Sequence, residues 1–161
     1  MDFVKIQGYK SFKKIAVCLH PINLLIGANG AGKSNFLSLF EMLGNIYEKR
    51  LGAYVAQVGG VDKLLYQGRK VTDRIAVNLL IAKSEYDLAL LESDGKLIVE
   101  REVVGCYDDV CPLDLVRKNV ITEYQSESSL KDHKEEDLSN YISQIRKFHF
   151  HDTGRRSPFT A

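Results

Sequence analysis

The stretch Gly27-Ala28-Asn29-Gly30-Ala31-Gly32-Lys33-Ser34 constrains this chain more than any other. It follows a mostly apolar run, Ile22-Asn23-Leu24-Leu25-Ile26. It precedes a segment in which Phe36, Leu37, Phe40, Leu43 and Tyr47 recur at helical spacings of three and four. A G-x-x-x-x-G-K-S string between a strand and a helix has a specific physical logic. Its glycines let the backbone bend through conformations that side chains forbid, so successive N–H groups converge on one point. The helix that starts near Lys33 adds the positive end of its dipole, which suits a phosphate group. Lys33 then neutralises the β- and γ-phosphates of a nucleoside triphosphate, and the Ser34 hydroxyl ligates Mg²⁺. The competing reading, a glycine-rich turn with an incidental Lys-Ser, does not account for the strand and helix on either side.

The flanking sequence divides into elements. Val4–Tyr9 and Lys14–Leu19 alternate apolar and polar residues and read as strands. Ile22–Ile26, apolar on both faces, reads as a central, fully buried strand. A helix is expected from Ser34, loosening near Gly44 and ending before Gly52, and a short helix over Val61–Leu65 is closed by Gly68. Three strands follow over 73–81, 86–91 and 97–104. Ser93-Asp94-Gly95-Lys96 joins the last two as a type I′ hairpin, making an antiparallel meander. Residues 105–127 show no regular pattern. Leu130–Lys147 reads as a polar helix with Leu138, Ile142 and Ile145 on one face, followed by a short strand, Phe148–His151.

Composition narrows the class. The chain has 161 residues, with 22 Lys and Arg against 21 Asp and Glu, a net charge of +1. It is too apolar to be disordered, and too balanced in charge to be a basic nucleic-acid tail. No apolar run approaches the roughly 20 residues of a membrane span. Met1-Asp2-Phe3-Val4-Lys5 lacks the pattern of a secretory signal, so a cytoplasmic location is expected. Cys18, Cys106 and Cys111 are an odd number, which suits reduced thiols rather than a disulfide framework.

The run Gly27–Asn35, with Phe36-Leu37 after it, resembles the Walker A of ABC-type ATPase heads. The resemblance is closest to the soluble SMC/RecF/Rad50-like branch and its relatives among bacterial AAA-type ATPases. Ile6-Gln7-Gly8-Tyr9-Lys10-Ser11-Phe12 is similar to the N-terminal strand of those heads, where a basic and a small polar residue contact nucleotide. The resemblance therefore implies an α/β fold, a P-loop lobe with a mixed sheet of N-terminal strands plus the meander. It implies ATP and Mg²⁺ as cofactors. It also implies Gly27, Ala28, Asn29, Gly30, Ala31, Gly32, Lys33, Ser34, Asn35, Lys10 and Ser11 as nucleotide contacts. Such heads sandwich ATP between two copies, so a homodimer through ATP is implied for the whole protein. DNA is a partner of that group, although the near-neutral charge of this chain does not point to it.

Heads of this kind also use a strand ending in Asp-Glu, a Ser-Gly-Gly signature and a switch histidine. Leu88-Ala89-Leu90-Leu91-Glu92 ends in Glu without the Asp and runs into the Asp94-Gly95 turn, and no Ser-Gly-Gly occurs. Residues 1–161 are thus expected to be an N-terminal ATP-binding lobe whose partner lobe, with signature and acidic strand, is absent, and which alone is inactive. Two other readings are a small stand-alone P-loop kinase or GTPase and a non-catalytic nucleotide-sensing module. The first lacks an Asn-Lys-x-Asp or an Arg-rich lid. His149 and His151 share a strand face beside Asp152 and form a zinc-type constellation, with Cys106 and Cys111 as further ligands, although no second close pair supports it. By resemblance the same segment forms the hinge near the γ-phosphate, with Gln125 and Gln144 as alternatives. The charges of Lys131–Asp137 read as a solvated helix face, and Arg155-Arg156 as weak evidence for phosphate contact.

Overall fold

A computed structural model describes residues 2–107, 115–133 and 136–145. Its strands are β1 (Asp2–Tyr9), β2 (Phe12–Leu19), β3 (Arg74–Ile81), β4 (Ser84–Ser93), β5 (Lys96–Tyr107) and β6 (Leu115–Gln125). Its helices are α1 (Lys33–Tyr47), α2 (Leu51–Gln57) and α3 (Glu136–Ser143), with short 3₁₀ turns at Val61–Lys63 and Leu130–Asp132. The strands make one six-stranded sheet in the order β2-β1-β3-β4-β5-β6. Every neighbouring pair is antiparallel.

Alternation puts Val4 and Ile6 of β1, Ile75, Val77 and Leu79 of β3, and Tyr86, Leu88 and Leu90 of β4 on one buried face. Leu39, Met42, Leu43 and Ile46 of α1 and Leu51 and Tyr54 of α2 join them in a single cluster. The α1 stripe is therefore rotated from the one expected. Leu39 and Met42 are fully buried, whereas Leu37 is 49% exposed. The Asp94-Gly95 turn behaves as its chemistry dictates, with φ of 51° and 77° at the two central residues.

Several expectations are corrected. Ile22–Ile26 is not a strand, and Ile22, Leu24 and Ile26 are 90%, 81% and 83% exposed. An apolar strand is buried only when neighbours supply both a ladder and a covering layer, and among the described residues none does so here. Any parallel element expected around that run is consequently not part of the sheet. The unassigned stretch contains β6 and the end of β5. The long helix over 130–147 is instead a 3₁₀ turn followed by α3, and α2 was not expected from the sequence pattern at all. Glu92, the acid of the Asp-Glu decoy, closes the β4–β5 hairpin by accepting the Gly95 N–H at 2.8 Å, a plain meander role.

Beneath the sheet lies a buried polar hub. The Glu102 carboxyl is fully buried and accepts hydrogen bonds from four groups. The Tyr86 hydroxyl (2.5 Å) and Ser128 hydroxyl (2.6 Å) donate to Oε1, and the Thr122 hydroxyl (2.7 Å) and Ser129 N–H (3.0 Å) donate to Oε2. Residues 127–132 form a strap that runs from this hub to the helices. Glu127 accepts the Leu51 and Gly52 N–H groups at the start of α2. Lys131 pairs with Glu48 and Asp132 with Lys49 at the end of α1. Part of the charge run read as a solvated face thus joins the strap to α1.

Burial raises the phenol pKa values of Tyr9, Tyr54 and Tyr86 above the ordinary 10.0. A raised folded-state value means that the folded chain holds the proton more tightly than the unfolded one. The corresponding stability is complete below the unfolded value and is lost as pH rises through and beyond it. Denaturant titrations at stepped pH are expected to show the unfolding free energy falling once pH exceeds about 10.

Candidate functional site

The segment from Gly27 to Asn35 crosses from an exposed loop into the first turn of α1. Gly30 and Gly32 hold φ of 84° and 94°, a region that L side chains rarely enter. Gly32 is fixed a second way. A Cβ there would lie 3.1 Å from the Phe12 ring and 3.2 Å from the Ser11 hydroxyl oxygen. The Phe36 N–H makes the first helical bond, to Gly32 O at 2.8 Å. The N–H groups of Lys33, Ser34 and Asn35 therefore precede the hydrogen-bonded ladder and point out of the helix start. Lys33 Nζ folds back onto this loop, donating to Gly27 O at 2.6 Å and Ala28 O at 2.8 Å.

The β1–β2 turn meets the same helix start. Asn35 Nδ2 donates to the Ser11 hydroxyl oxygen at 2.9 Å. Lys10, left-handed at φ 47°, directs Nζ to the Ser38 hydroxyl oxygen at 2.7 Å, one turn along α1. The Tyr9 hydroxyl lies 2.9 Å from the same oxygen, and the Tyr54 hydroxyl donates to Ser38 O at 3.3 Å. Ser38 in turn donates to Asn35 O at 2.8 Å. The sequence did not single out Ser38, Tyr9 or Tyr54. A serine at a buried helix position is the signal that was available, because a buried hydroxyl requires partners.

Lys10, Ser11 and Asn35 thus come together, Ser11 directly against Gly32, while Lys10 reaches α1 rather than the glycine loop. Gln125 ends β6 and Gln144 follows α3, both exposed. His149, His151, Asp152, Cys111 and Arg155-Arg156 lie outside the described residues. Among the described residues no group of His, Cys, Asp and Glu is arranged to hold a metal ion. No described helix is long and apolar enough to cross a membrane.

A glycine loop opens here onto helix N–H groups that precede the hydrogen-bonded ladder, with Lys-Ser at the helix start, a set of donors whose charge and direction suit an anion. The family model of the AAA ATPase domain matches residues 1–151, and the chain belongs to that family of nucleotide-binding ATPases. A search of curated proteins found no match.

Proposed function

We propose that this chain binds Mg²⁺-ATP at Gly27–Asn35 and is the ATP-binding lobe of an SMC/RecF-like, ABC-type ATPase. The observation that carries the reading is the start of α1. Three N–H groups project from it, and the lysine beside them is held only by carbonyls of its own loop. A phosphate replaces those carbonyls with a stronger, charge-assisted partner. The donor set fits both halves of the ligand: backbone N–H groups and Lys33 for the phosphates, and the exposed Ser34 hydroxyl for the cation. Mg²⁺ supplies charge neutralisation across the phosphate oxygens when bound. Asn35 and Ser11, tied to each other, hold the near edge of the cradle in register with the sheet.

Hydrolysis on this reading belongs to an assembly. Phosphoryl transfer needs a positioned water, further charge stabilisation and correct alignment acting together. A second lobe and a second head supply these parts, with ATP between two copies. The exposed Ile22, Leu24 and Ile26, leading directly into the cradle, support a further layer of protein at that point. The cytoplasm is the compartment proposed, with DNA a partner of the assembly rather than of this lobe.

Calorimetric titration with ATP, with and without Mg²⁺, combined with a phosphate-release assay, tests this reading. Mg²⁺-strengthened binding with negligible turnover by the isolated chain is the expected result. Absence of binding overturns the site. Robust turnover overturns the incomplete-lobe reading and favours a stand-alone enzyme.

A further inference from the structure

A cleft of about 740 Å³ adjoins the cradle. Lys10, whose Nζ is engaged with Ser38, forms its near side with Ser11 and Asn35, and residues of the segment from Asp62 to Lys70 form its far wall. That wall is built rigidly onto β1. Lys10 N–H donates to Leu64 O at 2.7 Å, and Tyr66 N–H donates to Gly8 O at 2.9 Å. Gln67 and Gly68 turn the chain through φ of 57° and 76°. The Asp62 carboxylate then accepts the Arg69 N–H at 2.9 Å and sits 3.4 Å from its guanidinium Nε.

The charge of this wall is out of proportion to the chain. Lys63, Arg69 and Lys70 line it against the single carboxylate of Asp62, in a protein of net charge +1. That carboxylate is already engaged with Arg69, and the Lys63 and Lys70 side chains are exposed. Clefts lined by one sign of charge concentrate ligands of the opposite sign. The cradle already matches the triphosphate, and the cleft opens from its Ser11–Asn35 edge. A nucleoside extending into it brings a neutral ribose and base, which offer no anion to Lys63 and Lys70.

We infer that the cleft is a second anion subsite, taking a phosphate attached to the ribose of a nucleotide whose triphosphate sits in the cradle. The inference rests on the cradle reading and adds a ligand class to it: a nucleoside triphosphate with a further ribose-linked phosphate. That phosphate comes from a free nucleotide phosphorylated on its ribose or from the first linkage of a 5′-triphosphorylated strand.

Calorimetry at fixed ionic strength, with Mg²⁺ in excess, tests it on the whole chain. The probes are ATP, adenosine 3′-phosphate 5′-triphosphate, and the dinucleotide pppApA. Wild type is expected to bind one or both ribose-phosphorylated probes about tenfold more tightly than ATP, the scale of one charge-assisted contact. In the Lys63→Ala/Lys70→Ala double variant that preference falls to near unity. A gain with the mononucleotide alone identifies the free nucleotide as the source, and a gain with pppApA identifies the strand. Equal affinity for all three probes in wild type overturns the inference, as does a preference that survives in the double variant. Absence of any nucleotide binding overturns the cradle reading as well, whereas ATP binding without preference overturns the second subsite alone.

Discussion

Glu102→Ala lowers the unfolding free energy by about 3–5 kcal/mol, because the donors around it are buried and lose their acceptor together. The Tyr86, Thr122 and Ser128 hydroxyls and the Ser129 N–H all converge on this one carboxyl. Leaving a buried donor unsatisfied costs more than a hydrogen bond contributes when made. The strap from Glu127 to Asp132 also loses its anchor to the sheet, and with it the alignment of the α2 start and the α1 end. Against a typical total stability of about 5–15 kcal/mol, such a loss brings the chain near unfolding. Denaturant titration with wild type in parallel measures it. If E102A proves too unstable to study, Tyr86→Phe reads the same hub, losing about 1 kcal/mol with one donor removed. An E102A midpoint within the range of ordinary surface substitutions would show that the hub does not hold the strap.

Lys33→Ala weakens Mg²⁺-ATP binding about ten- to a hundredfold while leaving thermal stability close to wild type. The binding loss follows from removing one ammonium-to-phosphate interaction, worth about 1.5–3 kcal/mol for a hydrogen bond to a charged group. The stability expectation follows from geometry. Lys33 Nζ is bonded only to carbonyls of the exposed Gly27–Ala28 turn, which water satisfies when the side chain is gone. Calorimetric titration and a melting curve on the same preparation separate the two effects. Unchanged affinity would move the phosphates away from this loop, and a large drop in melting temperature would mark Lys33 as structural.

Comparing the two levels of description, local signals carried far. The glycine loop, the helix after it and the Asp94-Gly95 hairpin were all legible because each is specified by residues a few positions apart. The meander strands were legible for the same reason, since period-two alternation is a property of a single strand. The hub was not. Alternation over Leu97–Val104 places Glu102 on the face opposite Val99, among residues that would meet solvent. In the structure Leu90 pairs with Val99 and Ala89 with Arg101, so Glu100 is an extra residue and the parity flips beyond it. Glu102 consequently turns into the core, where Thr122 of β6 stands opposite. A bulge of this kind is decided by the partner strand, and nothing within 97–104 announces it.

The second cleft depends on the same kind of long-range event. The sequence marked Lys10-Ser11 and a short helix at Val61–Leu65 separately, and nothing local pairs them: the Tyr9–Leu65 bridge brings their polar and cationic residues together. Exposure of Ile22–Ile26 likewise reflects the neighbours that surround a segment, whereas its apolar composition alone suggested burial. By itself, then, the sequence determined a glycine loop at Gly27–Gly32 leading into a helix at Lys33 and an antiparallel meander after it, because glycine freedom, helix starts and turn chemistry act over a few residues. Tertiary structure alone decided which face of α1 is buried, that a carboxylate anchors the strap, and that a basic wall stands beside the cradle. These depend on pairings between residues far apart in the chain, whose register no local pattern encodes.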